Sequence, residues 1–174
     1  MPTGIAIVGL NGSGKTTLGR VIAERFGYYR MDVEDYYFPK SDIPYSVSRT
    51  RDEVEKLMLA DILEHGNFVL SAVCADFGEE INSQYGLIVY LDAPLDVRMA
   101  RIRRRSIDKF GSRVLPGGDM YRQEEAFFDF AALRTADKIE EWLANAPCPV
   151  LRIDGTKDMN ESVRIIAEKL ASNN

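Results

Sequence analysis

The sequence predicts an α/β protein: a three-layer α/β/α domain on a five-stranded parallel sheet, with a small helical lid. Three observations lead there. Short, nearly continuous apolar runs alternate with segments whose apolar residues follow helical spacing. The first run leads straight into "GLNGSGKTT", residues 9–17, and an amphipathic segment follows it. No repeat, low-complexity tract or long Gly/Ser/Pro linker divides the 174 residues, so one domain is expected over 1–174.

The elements follow in order. "GIAIVG" at 4–9 is rich in β-branched residues and reads as the first strand. Leu18, Val21, Ile22 and Phe26 share one helix face, and Gly27 is placed to end that helix. "YYRMD" at 28–32 is a weaker second strand. Val54, Leu57, Met58 and Ile62 form the next helical stripe, stopped by Gly66. "NFVLSAVCA" at 67–75 and "GLIVYLD" at 86–92 are the third and fourth strands. Residues 94–105 read as a helix with Pro94 near its start, and 120–145 as a longer one. "PVLRID" at 149–154 is the fifth strand. Val163, Ile166, Ala167 and Leu170 mark the last helix, with Asp158 and Glu161 at capping-box spacing.

Composition narrows the function. Hydrophobic residues make up 45% and charged residues 28%, ordinary values for a soluble domain. The net charge of −5 argues against a stable nucleic-acid partner. Cys74 and Cys148 are far apart and read as reduced, buried thiols, and the single histidine, His65, reads as a helix-end cation without chemistry. No zinc site is expected from this set. The opening "MPTGIAIVGL" lacks a basic flank, and no stretch approaches the ~20 apolar residues of a membrane span. A cytoplasmic location away from membranes is therefore expected. Nothing in the sequence sets an oligomeric state.

Gly9, Gly14, Lys15 and Thr16 satisfy G-x-x-x-x-G-K-[ST] without a gap. A bound triphosphate needs many donors close together. Glycines at 9, 12 and 14 let the backbone wrap tightly and turn its N–H groups inward, so Asn11, Gly12 and Ser13 belong to the same cradle. The helix start adds its positive dipole end. Lys15 would reach the outer phosphates, Thr16 would ligate Mg²⁺, and Thr17 would reach the inner phosphate. ATP and Mg²⁺ are the expected cofactors.

Other segments bear on the kind of protein. "RIRRR" at 101–105 puts Arg101, Arg103, Arg104 and Arg105 on one helix end, and a glycine-rich stretch follows, giving a candidate lid over 105–120. Like charges crowded together suit an arriving polyanion, and a solvated basic face is the plainer alternative. "TKDM" places Asp158 one position too early for the [NT]-K-x-D of guanine readers. "RMDVEDYY" sets Asp32, Glu34 and Asp35 at the carboxyl edge of the sheet, where ligands of open α/β sheets bind. Asp32 is the favoured base and metal partner, with Glu34 beside it as a substrate contact. Arg49 and Arg51 would suit an acceptor bearing phosphate or carboxylate, or else pair with Asp52 or Glu55. Asp76, just past the third strand, is a weaker acidic candidate for the acceptor side. Tyr36, Tyr37, Phe38 and Tyr45 would sandwich a ring or pack their loop, and Phe127, Phe128 and Phe130 are expected in the core.

"PLDVRMARIRRR" resembles the proline-started helix and R-x-x-x-R pair of P-loop small-molecule kinases in the nucleoside-monophosphate-kinase and shikimate-kinase group. That resemblance implies a nucleotide-kinase-like P-loop NTPase fold, with Arg101 near the adenine and Arg105 on phosphates. It also implies Gly111 and Arg113 in the lid, and Gly155, Thr156 and Lys157 along the adenine. The "D-V-E" at 32–34 departs from the D-x-D of shikimate kinases, which leaves the identity of the base open. The expected activity is transfer of the γ-phosphoryl group of MgATP to a small molecule: a nucleoside monophosphate, a nucleoside or a hydroxyl metabolite. The alternatives are a P-loop ATPase acting as a nucleotide-dependent switch, and a non-catalytic nucleotide-binding protein.

Overall fold

The first strand, β1 (Gly4–Val8), lies at the centre of the sheet, and every one of its residues is buried. A computed structural model describes residues 3–42 and 45–172; 1–2, 43–44 and 173–174 of the expected 1–174 domain lie outside the described residues. The other strands are β2 (Tyr29–Asp32), β3 (Phe68–Ala72), β4 (Tyr85–Asp92) and β5 (Val150–Asp154). Their order is β2-β3-β1-β4-β5, and every pairing is parallel. In register, Val8 pairs with Ala72 on one side and Tyr90 on the other. The loops after β1 and β3 therefore open at the same edge.

Alternation along the central strands shows why helices cover both faces. Ala6, Val8, Leu70, Ile88 and Tyr90 enter one core. It is closed by Val54, Met58 and Ile62 of α3 (Arg51–His65) and by Ile139 and Leu143 of α7 (Asp137–Ala144). Ile5, Ile7, Val69, Leu87, Val89 and Leu91 enter the other. There Leu18 and Ile22 of α1 (Lys15–Phe26) and Val163 and Ile166 of α8 (Met159–Ser172) cover the sheet. Each such side chain, once buried, contributes on the order of 1.5–3 kcal/mol. Two short helices, α2 (Val33–Tyr37) and α4 (Glu79–Asn82), follow β2 and β3. A third, smaller core joins α5 (Leu95–Phe110) to α6 (Tyr121–Leu133) through Ile102, Phe128 and Ala131.

Several details depart from the sequence reading. The helix expected to end at 105 runs on to Phe110, so the candidate lid begins as the last turn of α5 and continues as a 3-10 turn, Gly111–Val114. The single helix expected over 120–145 is two helices, broken at 134–136, where the Thr135 hydroxyl donates to the Asp137 carboxylate at 2.7 Å instead of serving a helix interior. Asp158 and Glu161 form no reciprocal box. Asp158 accepts from the Asn160 amide at 2.8 Å, and Glu161 pairs with Lys157 at 2.8 Å. The capping box is at α3, where Thr50 accepts from the Glu53 amide and Glu53 accepts from the Thr50 amide. Cys74 and Cys148 are free and half-buried rather than fully enclosed. His65 ends α3 and stacks on Tyr29 with ring centroids 3.8 Å apart.

Candidate active site

The loop between β1 and α1 forms the floor of a cavity of about 390 Å³. Gly12 and Gly14 hold left-handed φ of 82° and 104°, values that side-chain-bearing residues adopt only with strain. A methyl at Gly12 would also meet the backbone carbonyl of Arg98 at 2.5 Å, so α5 packs directly against the loop. The Ser13 hydroxyl is the one buried side-chain polar atom without a partner among the described residues. An orphaned hydroxyl is unfavourable in a finished core and suits a loop built to receive an acceptor-rich ligand. Lys15 keeps some accessible surface, yet its ammonium is enclosed, and its Nζ donates to the Leu10 carbonyl at 3.1 Å. Burial lowers its pKa from 10.5 to about 8, against the pull of Glu34 and Asp32 and with a push from Arg105 and Arg134. Ser71, which interrupts the apolar third strand in sequence, is buried and donates to the Lys15 carbonyl at 3.2 Å.

Arginines of α5 hold the loop through its carbonyls. Arg98, 5% exposed, donates to the carbonyls of Ala93 and Asn11, each at 3.2 Å. Arg101 donates to the carbonyls of Gly12 at 3.4 Å, Ser13 at 3.2 Å and Gly155 at 2.9 Å. The carbonyls of Asn11, Gly12 and Ser13 are taken by guanidinium groups, while the Gly9 amide donates to the Val73 carbonyl at 3.2 Å and the Ser13 amide to the Leu10 carbonyl at 3.1 Å. Arg101 thus ties the phosphate loop to the turn after β5, and it lines the cavity with Arg105, Gly155 and Lys157. Thr156 caps its own turn, its hydroxyl donating to Asp154 at 2.6 Å.

A second cavity of about 720 Å³ opens beside the first. Thr16, Ile102 and Arg105 line both. Asp32, Glu34 and Asp35 stand at its β2 side, as the carboxyl-edge argument expects. Asp32 caps α2 by accepting from the Glu34 amide at 3.2 Å, and lies 4.0 Å from Arg30. Arg134 stands opposite, donating to the Asn11 side chain at 3.3 Å and sitting over the Phe130 ring at 5.4 Å. Burial lowers its pKa.

Four sequence candidates are engaged elsewhere. Arg49 donates to the Tyr36 carbonyl at 2.8 Å. Arg51 pairs with Glu55 at 2.6 Å and donates to the Asp76 carbonyl at 2.9 Å, the helix-start alternative. The Asp76 carboxylate accepts from Asn82 at 2.8 Å. Arg113 pairs with Asp119 at 2.7 Å inside the candidate lid. None of the four lines either cavity. Of the three phenylalanines expected in the core, Phe128 is buried there, Phe127 packs against that core while also lining the second cavity, and Phe130 is exposed at the cavity. Arg98 and Arg134 are the residues the sequence reading missed. Arg98 had a signal, one helical turn before Arg101 on the same face. Arg134 had none, because only the break between α6 and α7 turns it toward Asn11.

The order β2-β3-β1-β4-β5, the glycine loop and the arginine-bearing helix define a P-loop protein of the nucleotide-kinase and shikimate-kinase-like group of small-molecule kinases. The chain belongs to the AAA domain family, which matches it over residues 5–126. It is 31% identical to the uncharacterized protein YqaC of Bacillus subtilis, over 99% of this chain and 100% of that one. It is 32% identical to a shikimate kinase of Psychrobacter cryohalolentis, over 56% of this chain, and spans 58% of that enzyme's length. The crystal structure of shikimate kinase from Bacteroides thetaiotaomicron shares the fold, with a TM-score of 0.60 at 21% identity, covering 98% of this chain and 99% of that one.

The residues present fit ATP and Mg²⁺. The glycine-rich turn at the helix start, the unpartnered Ser13 hydroxyl and the Lys15 ammonium suit phosphates. The Thr16 hydroxyl, at the wall shared by both cavities, and the Asp32 carboxylate, which lines the second cavity with it, are hard oxygen ligands of the kind Mg²⁺ takes.

Proposed function

We propose that the protein transfers the γ-phosphoryl group of MgATP to a hydroxyl of a small-molecule acceptor, in the cytoplasm. The observation behind this reading is the wall shared by the two cavities, at Thr16 and Arg105. A donor seated on the loop presents its terminal phosphate there, and an acceptor in the second cavity meets it. A switch or simple ATPase needs no such second chamber. Lys15 and the loop amides would bind and orient the phosphates, and Mg²⁺ at Thr16 and Asp32 would supply charge neutralisation. Arg105, exposed at the junction, would meet the charge on the moving group. Asp32 would accept the acceptor's proton, with Glu34 beside it. Arg101, Gly155, Thr156 and Lys157 would border the nucleotide, and the 105–120 segment with Arg113 would close over it. Arg49, Arg51 and Asp76 would shape the acceptor side indirectly, Arg49 by holding the Tyr36 carbonyl, and Arg51 and Asp76 by tying the start of α3 to α4.

The test is ADP release from MgATP with and without candidate acceptors. Acceptor-dependent ADP and a phosphorylated product are expected. Asp32→Asn should lower kcat about 10²–10⁴-fold while MgATP still binds. ATP hydrolysis at one unchanging rate, with no phosphorylated product from any acceptor, would instead mark an ATPase.

A further inference from the structure

We propose that the acceptor is a neutral, planar-ring alcohol of the nucleoside class, held among the five aromatic rings of the second cavity. The inference rests on the kinase reading above and narrows it. Phe38 and Tyr45 come from the segment after α2, Phe110 from the end of α5, and Phe127 and Phe130 from α6. These rings come from three separate parts of the chain and line one cavity; Phe127 also packs against the third core, and Phe38 meets Tyr45 edge-on with centroids 5.2 Å apart. Two of them are left wet: Phe130 is 56% exposed and Tyr45 48%. A flat ligand ring would cover that surface and gain dispersion contact with it. Gln123 on the same wall offers both an amide donor and an acceptor, the pair needed at the edge of a nucleobase.

The charges argue against an anionic acceptor. Four cations (Arg30, Arg105, Lys109, Arg134) and four carboxylates (Asp32, Glu34, Asp35, Glu124) line the cavity, so it is balanced when the donor is absent. Arg105 also lines the phosphate cavity, and a bound triphosphate would claim it. With Mg²⁺ claiming Asp32 as well, three cations then face three carboxylates, and the negative charge of the bound triphosphate stands at the shared wall. Arg30 is itself paired, at 3.5 Å from Asp35 and 4.0 Å from Asp32. Arg49 and Arg51, the pair suited to a carboxylate or phosphate on the acceptor, are committed outside the cavity. A monophosphate dianion would enter against an excess of its own sign, and an uncharged nucleoside would not. In the reaction, the acceptor hydroxyl oxygen bonds to the γ-phosphorus. The bond from that phosphorus to the β,γ-bridging oxygen breaks, its electron pair leaving with ADP. The hydroxyl proton goes to the Asp32 carboxylate and then to water.

The experiment gives the full chain MgATP and, in parallel, a panel of nucleosides, their 5′-monophosphates and shikimate as a non-aromatic hydroxy acid. ADP release and product mass are followed, and saturation-transfer NMR reports contact with base protons. At least one nucleoside should show kcat/KM tenfold or more above its monophosphate and above shikimate. Phe130→Leu keeps apolar bulk and removes the ring face. It should raise the nucleoside KM about tenfold and leave the MgATP KM unchanged, and Phe130→Tyr should restore it. Turnover of a monophosphate or of shikimate with nucleosides inert would overturn the acceptor class and leave the kinase standing. If no acceptor is phosphorylated, the kinase reading falls. The ring chamber then stands on base-proton saturation that Phe130→Leu abolishes, and falls if none is seen.

Discussion

Lys15 concentrates the chemistry of the loop in one side chain. Its ammonium, held at a pKa of about 8 by burial, is only partly charged in mildly alkaline solution. Bound phosphates favour the charged form and raise that pKa back toward its ordinary 10.5. Between these values the free protein binds fewer protons than the complex, so MgATP binding should take up a proton above about pH 8 and weaken as pH rises further. The same group works the other way on folding. The unfolded chain holds the proton more tightly, so the burial opposes folding below about pH 8, and that opposition fades as pH climbs toward 10.5. Calorimetry at pH 8.5 in two buffers of different ionisation enthalpy should show proton uptake, and Lys15→Met should remove it along with most of the affinity. Buffer-independent heats would contradict the account. Lys15, Thr16 and the glycines were legible in the sequence because a phosphate loop is contiguous, and nine residues in a row contain its geometry. Arg134, Phe127 and Phe130 were not, because their roles exist only after α6 has folded against α5.

Among the elements, α5 does the most for the site. Its buried Arg98 donates to the Asn11 carbonyl, and its backbone touches Gly12, so helix and loop form one rigid piece. Arg98→Met would leave the Asn11 and Ala93 carbonyls short of a donor, a loss of about 1–3 kcal/mol in stability. Because Arg98 holds the phosphate loop through the Asn11 carbonyl, the MgATP KM should rise more than the acceptor KM, and Arg98→Lys should recover part of the difference. A variant that lost stability with both KM values unchanged would reduce Arg98 to a packing residue. Strands and helices with long apolar runs were readable because burial sets their pattern. Element ends were less so. The stop at 134–136 depends on a local Thr135–Asp137 hydrogen bond, which competes with a helix of otherwise acceptable composition.

For the whole molecule, α1, α5 and the turn after β5 all line the phosphate cavity, and Arg101 of α5 ties the phosphate loop to that turn. Filling that cavity should stabilise all of them together. At a hundredfold excess over Kd, MgATP should add about 2.7 kcal/mol, a rise in Tm of roughly 5–10 °C for a chain of this size. The shift should grow with nucleotide concentration and vanish in Lys15→Met. No helix among the described residues is long and apolar enough to cross a membrane. The layer order and sheet were legible at this scale because alternating strand and helix leave few right-handed arrangements. The pairing of two cavities was not, since the second is lined by residues drawn from β2, α2, α5 and α6 and has no linear signature.

That the two chambers are divided by little more than Thr16, Ile102 and Arg105 has a practical corollary. One compound, adenosine joined through a short phosphate chain to the second substrate, would thread both at once. Tethering makes the second docking intramolecular, so such a compound should bind orders of magnitude more tightly than either half, with the chain length of best fit measuring the span from donor to acceptor.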